Sequence, residues 1–153
     1  MPTIHEATAT WRGDLAKGAG DVTTKSNVLK QAATSWKERT EGTGAEGATS
    51  PEELLAAAHA SCFAMAFSAR LVKAGVADPN IQVTARVTFG PTPAGGNGVL
   101  SSALTVRAPA PDGDTEKLRA VALDAKENCP ISKALEGNVA LSVEATPGEP
   151  ASR

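Results

Sequence analysis

The sequence predicts an α+β fold of order βββ-α-ββ-αα-β in a single domain of 153 residues, and three observations carry that expectation. The run Ile81–Phe89 alternates apolar and polar residues without error, as a half-buried antiparallel strand does. Two capped helical segments interrupt strand-like stretches, and each leads to a cysteine. No P-loop accompanies them, and the order of strands and helices does not suit a doubly wound nucleotide-binding sheet.

At the front, IHEATATW, a stretch around Gly20–Thr24, and ATSWKE at 33–38 read as a three-stranded meander. The first helix opens on Ser50-Pro51-Glu52-Glu53, which supplies an N-cap, a proline at the first helical position and Glu53 at N3 to close a capping box. From there to Ala74, Leu55, Ala58, Cys62, Met65, Ala69 and Val72 form one apolar stripe, and Ala60, Phe63, Phe67 and Leu71 form another. Such a helix is expected to be buried nearly all round. Ile81, Val83, Ala85, Val87 and Phe89 then share one strand face, GPTPAGGNG at 90–98 is a loop, and VLSSALTVRA returns as the second arm of a hairpin. A second helix from about Asp114 to Asn128 turns Leu118, Val121, Ala122 and Ala125 inward; Pro130 ends it, and Ile131–Glu136 is a further short turn closed by Gly137. NVALSVEA is the last strand, and residues 146–153 are expected to fray.

Fifteen basic and 17 acidic residues leave a net charge of −2, which offers no field for a phosphate backbone or an anionic bilayer. Nucleic acid and membrane are therefore not expected partners. The core material is thin: 29 alanines, three Phe, two Trp and no Tyr. A domain so poor in bulky side chains gains burial at a subunit interface, so an obligate oligomer is expected. The first residues lack a charged segment followed by an apolar run, and the chain reads as cytoplasmic.

In a reducing compartment the two cysteines, Cys62 and Cys129, read either as a catalytic or sensing pair or as unrelated buried thiols. Cys62 lies mid-helix on an apolar stripe, where a packing thiol has a raised pKa. Cys129 precedes Pro130 and is placed to cap the next turn, where unpaired amides favour a thiolate. If the two meet, the second thiol can capture a sulfenic acid formed on the first. A metal is the competing reading, with His59, Cys62 and Cys129 as ligands and His5 a distant fourth, although no CxxC or HxxxH spacing supports it. Glu53 is accounted for by its cap, Glu52 gains from the helix dipole, and Arg39 sits in the charged stretch WKERTEGTGAEGATS, read as a surface loop.

The segment TSPEELLAAAHASCFAMAFS at 49–68, together with CPISKAL at 129–135, resembles the two signature blocks of the OsmC-like family of osmotically inducible and organic hydroperoxide resistance proteins. WRGDLAKGAG, the Arg39-Thr40-Glu41-Gly42 turn and AGVADPNIQVTARVTF follow in the order of the OsmC branch, so the resemblance covers about residues 4–144. It implies a swapped homodimer, with antiparallel sheets wrapped around two long central helices, and a thiol peroxidase of the osmotic and oxidative stress response that needs no cofactor and no metal. Position by position, Cys62 takes the peroxidatic role, Cys129 the resolving role, Glu52 that of the motif's functional acid, and Arg39 that of the arginine in the loop before the helix. The stretch between Arg39 and the SPEEL block is a few residues longer than is usual in that family, with extra Gly and Ala.

The resemblance implies a cycle in which a Cys62 thiolate cleaves the O–O bond of an organic hydroperoxide, Cys129 closes a disulfide, and an external dithiol, for which the family suggests a lipoyl-bearing protein, resets it. At a pKa near 8.5 only about 3% of a thiol is ionised at pH 7, so Arg39 is expected to activate Cys62 while Glu52 orients the guanidinium. Phe63, Met65 and Phe67 around Cys62 favour organic substrates. Ten residues of helix put Glu52 about 15 Å along the axis from Cys62, so if both serve one site, Glu52 comes from a partner chain. A non-enzymatic redox-sensing or ligand-binding stress protein is the competing function, and a structural dimer with two inert thiols a third.

Overall fold

The computed structural model describes residues 1–42 and 47–149, and the chain forms two compact units, Met1–Leu54 and Leu55–Arg153. The first holds a four-stranded sheet in the order β1 (Ala7–Arg12), β2 (Ala19–Thr24), β3 (Ala32–Thr34), β4 (Ala48–Thr49). β1, β2 and β3 pair antiparallel, as the meander requires, whereas β3 and β4 run parallel. The WRGDLAKGAG segment makes the first turn. Trp11 Nε1 donates to the Gly13 carbonyl at 3.1 Å, and the Gly18 amide donates to the Asp14 carbonyl at 2.8 Å. The fold leaves no room there for side chains: a Cβ on Gly20 would lie 2.7 Å from the Thr10 carbonyl oxygen and 2.8 Å from the Trp11 ring.

The expected third strand is cut short, because β3 ends at Thr34 and a helix, α1 (Trp36–Glu41), follows. Ser35 caps it, its Oγ accepting from the Glu38 amide at 3.0 Å, and Gly42 closes it in the left-handed conformation at φ 56°. Ser35-Trp36-Lys37-Glu38 carries the same capping signal that marks the long helix. Strand propensity in Ala-Thr-Ser-Trp obscures it. Arg39 therefore stands on a helix and not in a loop, and residues 43–46 of the expected loop lie outside the described residues.

The long helix α2 (Pro51–Lys73) begins as read, with Ser50 Oγ accepting from the Glu53 amide at 3.1 Å and the Glu53 carboxylate accepting from the Thr49 hydroxyl. By length and composition it could cross a membrane, but its Phe63, Phe67 and Leu71 are fully buried in the protein core. The core of the second unit joins these three to Leu104, Val106 and Ala108 of a strand and to Leu118, Ala122 and Ala125 of a helix. Burying each of the larger side chains contributes about 1.5–3 kcal/mol. All-round burial is not met within the chain: Met65 is 69% and Val72 55% exposed, and Ala58 and Ala69 beside them are also exposed.

The second sheet has the order β5 (Gln82–Pro91), β6 (Asn97–Ala108), β7 (Ala140–Pro147). β5 and β6 form the expected hairpin, its predicted apolar face half-buried and its polar face exposed; both strands extend into the segment read as loop, leaving 92–96 as the connection. β7 joins β6 in parallel, so this sheet is mixed rather than wholly antiparallel. β7 also continues through Thr146 and Pro147, so the tail starts at Gly148, and residues 150–153 lie outside the described residues. Between β6 and β7 lie α3 (Thr115–Asn128), capped by Asp114, and α4 (Pro130–Leu135), with Cys129 as the joint between them.

Candidate active site

Arg39 and Glu52 meet in the first unit. Arg39 Nε donates to both carboxylate oxygens of Glu52, at 3.1 and 3.2 Å, and Nη2 donates to Oε1 at 2.9 Å. Glu52 is buried, while the Arg39 side chain keeps 34% exposure, so the carboxylate fixes the plane of a cation that still reaches solvent. The guanidinium carbon also stands 5.9 Å from the centre of the Trp36 ring, three residues earlier on α1. A cavity of about 270 Å³ opens beside it, lined by Trp11, Leu15, Thr34, Ser35, Trp36, Arg39 and Pro51. The apolar lining of this cavity comes from two tryptophans, Leu15 and Pro51. Phe63 and Phe67 are sealed in the core, and Met65 points out on the exposed stripe.

Cys62 and Cys129 meet in the second unit, 67 positions apart in sequence, and both are free thiols. Cys129 is fully buried in the core cluster, and Cys62 packs against that cluster, half-exposed, within hydrogen-bond reach of the Cys129 thiol. Burial pushes the Cys62 thiol up from its ordinary range, the backbone amide of Ile131 opposes this by donating to its sulfur, and the neighbouring Cys129 adds to the rise. Ile131 is the second residue of α4, so its amide has no partner within that helix. Cys129 does hold the cap position, but its side chain makes no capping hydrogen bond. The free amide of the turn serves Cys62, not Cys129 as the sequence suggested.

His59 stands one turn before Cys62 and is fully buried. Its Nδ1 lies 2.7 Å from Ser102 Oγ on β6 and its Nε2 2.8 Å from Ser132 Oγ on α4. Both ring nitrogens are committed to hydroxyls, so neither is offered to a metal alongside the thiols. Burial lowers its pKa. Ser102 and Ser132 were not singled out from sequence; the available signal was spacing, since His59 precedes Cys62 by three residues and Ser132 follows Cys129 by three.

A sequence model of one family, described as OsmC-like protein, matches residues 42–144. The peroxiredoxin OsmC of Escherichia coli is 37% identical over 143 residues, covering 93% of this chain and 97% of that protein. Among solved structures, the organic hydroperoxide resistance protein OhrB of Bacillus subtilis superposes with a TM-score of 0.72 at 28% identity, over 92% of this chain and 98% of its own. An organic hydroperoxide resistance protein from Elizabethkingia anophelis gives 0.74 at 26% identity, over 97% and 100% of the two chains. With two thiols brought together from the two signature blocks, and with identity and fold agreeing over nearly the whole length, this chain belongs to the OsmC-like protein family.

Proposed function

We propose that the chain is a cysteine-based peroxidase that reduces organic hydroperoxides to alcohols. The observation that carries this reading is the contact of the half-exposed Cys62 with the buried Cys129, with the Ile131 amide on the Cys62 sulfur. The Cys62 thiolate attacks the hydroperoxide and displaces alkoxide, which takes up a proton, giving Cys62 sulfenic acid and ROH. The Cys129 thiol then attacks that sulfur and expels water, leaving a Cys62–Cys129 disulfide. An external dithiol, a lipoyl group on a protein being the expected class, takes over the disulfide and restores both thiols. The names of the relatives, peroxiredoxin and organic hydroperoxide resistance protein, accord with this chemistry.

The working form is a homodimer in the cytoplasm. The apolar stripe of α2 left exposed around Met65 and Val72, and the wholly exposed β1, are surfaces that a second copy would cover. In that dimer Arg39, oriented by Glu52, serves the Cys62 of the other chain, lowering the thiol pKa that burial raises and stabilising the developing alkoxide. The cavity beside Arg39, with its two tryptophans, takes the organic tail.

Turnover decides the matter. Reduced protein given excess aryl or fatty-acyl hydroperoxide and a dihydrolipoyl compound should consume many equivalents. Consumption that stops at one equivalent would mark a sensor, and no consumption would mark inert thiols; either result overturns the reading.

A further inference from the structure

The two thiols must stay aligned while a sulfenic acid waits for its partner, and what aligns them is a question about α4. This helix is six residues long, and its one buried residue is polar, Ser132. The Ser132 hydroxyl is tied to His59 Nε2 at 2.8 Å, and the opposite ring nitrogen is tied at 2.7 Å to Ser102, on the middle strand of the sheet, which is hydrogen-bonded to neighbours on both sides. His59 therefore bridges a fixed strand to a short helix. The bridge runs beside the thiol contact, because each of its ends on α2 and α4 stands three residues from a cysteine. With both nitrogens occupied by hydroxyls, the ring has no nitrogen left to take a proton from either thiol.

Resting on the reading that Cys62 forms a sulfenic acid and Cys129 resolves it, we propose that His59 is a positioning residue for the resolving step, clamping α4 through Ser132 so that Cys129 stays against Cys62. The clamp leaves the first chemical step alone and governs the partition of the sulfenic acid. That species either loses water to the Cys129 thiol and becomes a disulfide, or meets a second hydroperoxide, which oxidises it to the sulfinic acid and leaves as alcohol.

Two single-hydroxyl deletions separate the clamp from general destabilisation. Ser132→Ala and Ser102→Ala each strip one hydrogen bond from the same buried ring and should lower Tm alike. Only Ser132→Ala releases α4. In reduced protein treated with excess organic hydroperoxide and then alkylated, mass spectrometry should find the sulfinate-to-disulfide ratio at Cys62 raised about fivefold in Ser132→Ala, as the loss of one net hydrogen bond implies. Ser102→Ala should shift it much less, and the rate of the first oxidation should match wild type in both. A wild-type ratio in Ser132→Ala, or equal shifts in the two variants, overturns the clamp. If the variants do not fold, the wild type answers: the His59 ring N–H, followed by proton–nitrogen correlation spectra, should be protected from exchange in both the reduced and the disulfide forms, and its loss on oxidation overturns the clamp. A wild-type Cys62 that never oxidises defeats the peroxidase reading and the clamp together, whereas normal oxidation with an unchanged ratio defeats the clamp alone.

Discussion

Arg39 Nη2 stands 2.9 Å from Glu52 Oε1 while Nε spans both oxygens of the same carboxylate, so one edge of the guanidinium is locked to the first turn of α2. A lysine can keep the charge but not the fork. Arg39→Lys should lower kcat/KM for an organic hydroperoxide by about a hundredfold, the scale of losing one preorganised charge-stabilising group. Arg39→Met should also lower Tm, because it strands a buried carboxylate, and adding Glu52→Gln should recover stability without recovering activity. Steady-state kinetics and thermal melts check both halves; full activity in Arg39→Lys would remove the fork from the mechanism.

In the proposed cycle the two thiols act in a fixed order. Cys62→Ser should consume no hydroperoxide, whereas Cys129→Ser should consume about one equivalent and then accumulate sulfinic acid at Cys62. Wild type treated with one equivalent should carry a Cys62–Cys129 disulfide within one chain. Peptide mapping after alkylation reads all three; equal loss of the first turnover in both variants would reverse or void the assigned roles.

Ten helical residues between Glu52 and Cys62 correspond to about 15 Å of axial rise. With Glu52 and Cys62 serving one site across the proposed dimer, a heterodimer of a Glu52→Ala chain with a Cys62→Ser chain should rebuild one complete site, which neither mutant homodimer would have. The purified heterodimer is expected to reach up to about half of wild-type activity. Activity no greater than that of the weaker homodimer would place Glu52 in the service of its own chain.

Burial lowers the pKa of His59, whose hydrogen-bond partners are two uncharged serine hydroxyls. As pH falls below the unfolded value of about 6.5, the unfolded chain takes up a proton more readily than the folded ring does, so stability falls; above that value the penalty is gone. The added slope is at most about 1.4 kcal/mol per pH unit. Urea unfolding between pH 7.5 and 5 should show it in wild type and not in His59→Gln, which is less stable throughout but does not titrate there. Parallel curves for the two proteins would show that His59 titrates normally.

The sequence by itself determined what is local. The Ser50-Pro51-Glu52-Glu53 start, the alternation from Ile81 to Phe89 and the Pro130 break are each written within about ten residues, and each appears where its cap, period or missing amide requires. Of the four candidate site residues, Glu52, Cys62 and Cys129 were read from the two motif blocks and Arg39 from the turn at 39–42, and the structure brings Arg39 to Glu52 and Cys62 to Cys129. Helix α1 was written as well, in Ser35 and Gly42, but a capped six-residue helix competes poorly with strand-forming Ala-Thr-Ser-Trp in any reading by propensity.

Only the tertiary structure decided what depends on residues far apart in the chain. Which stripe of α2 is buried turns on Leu104 and Leu118, which supply the matching surface for Phe63 and Phe67. The parallel pairing of β6 with β7 depends on the crossover through α3 and α4, and no periodicity within a strand records its direction. The partners of His59 come from β6 and α4, 43 and 73 residues away, and a histidine in an apolar helix does not announce two serines. Local sequence specifies dihedral preference and periodicity, whereas desolvation, hydrogen-bond partner and pocket wall are set by whichever distant atoms the packed core brings alongside.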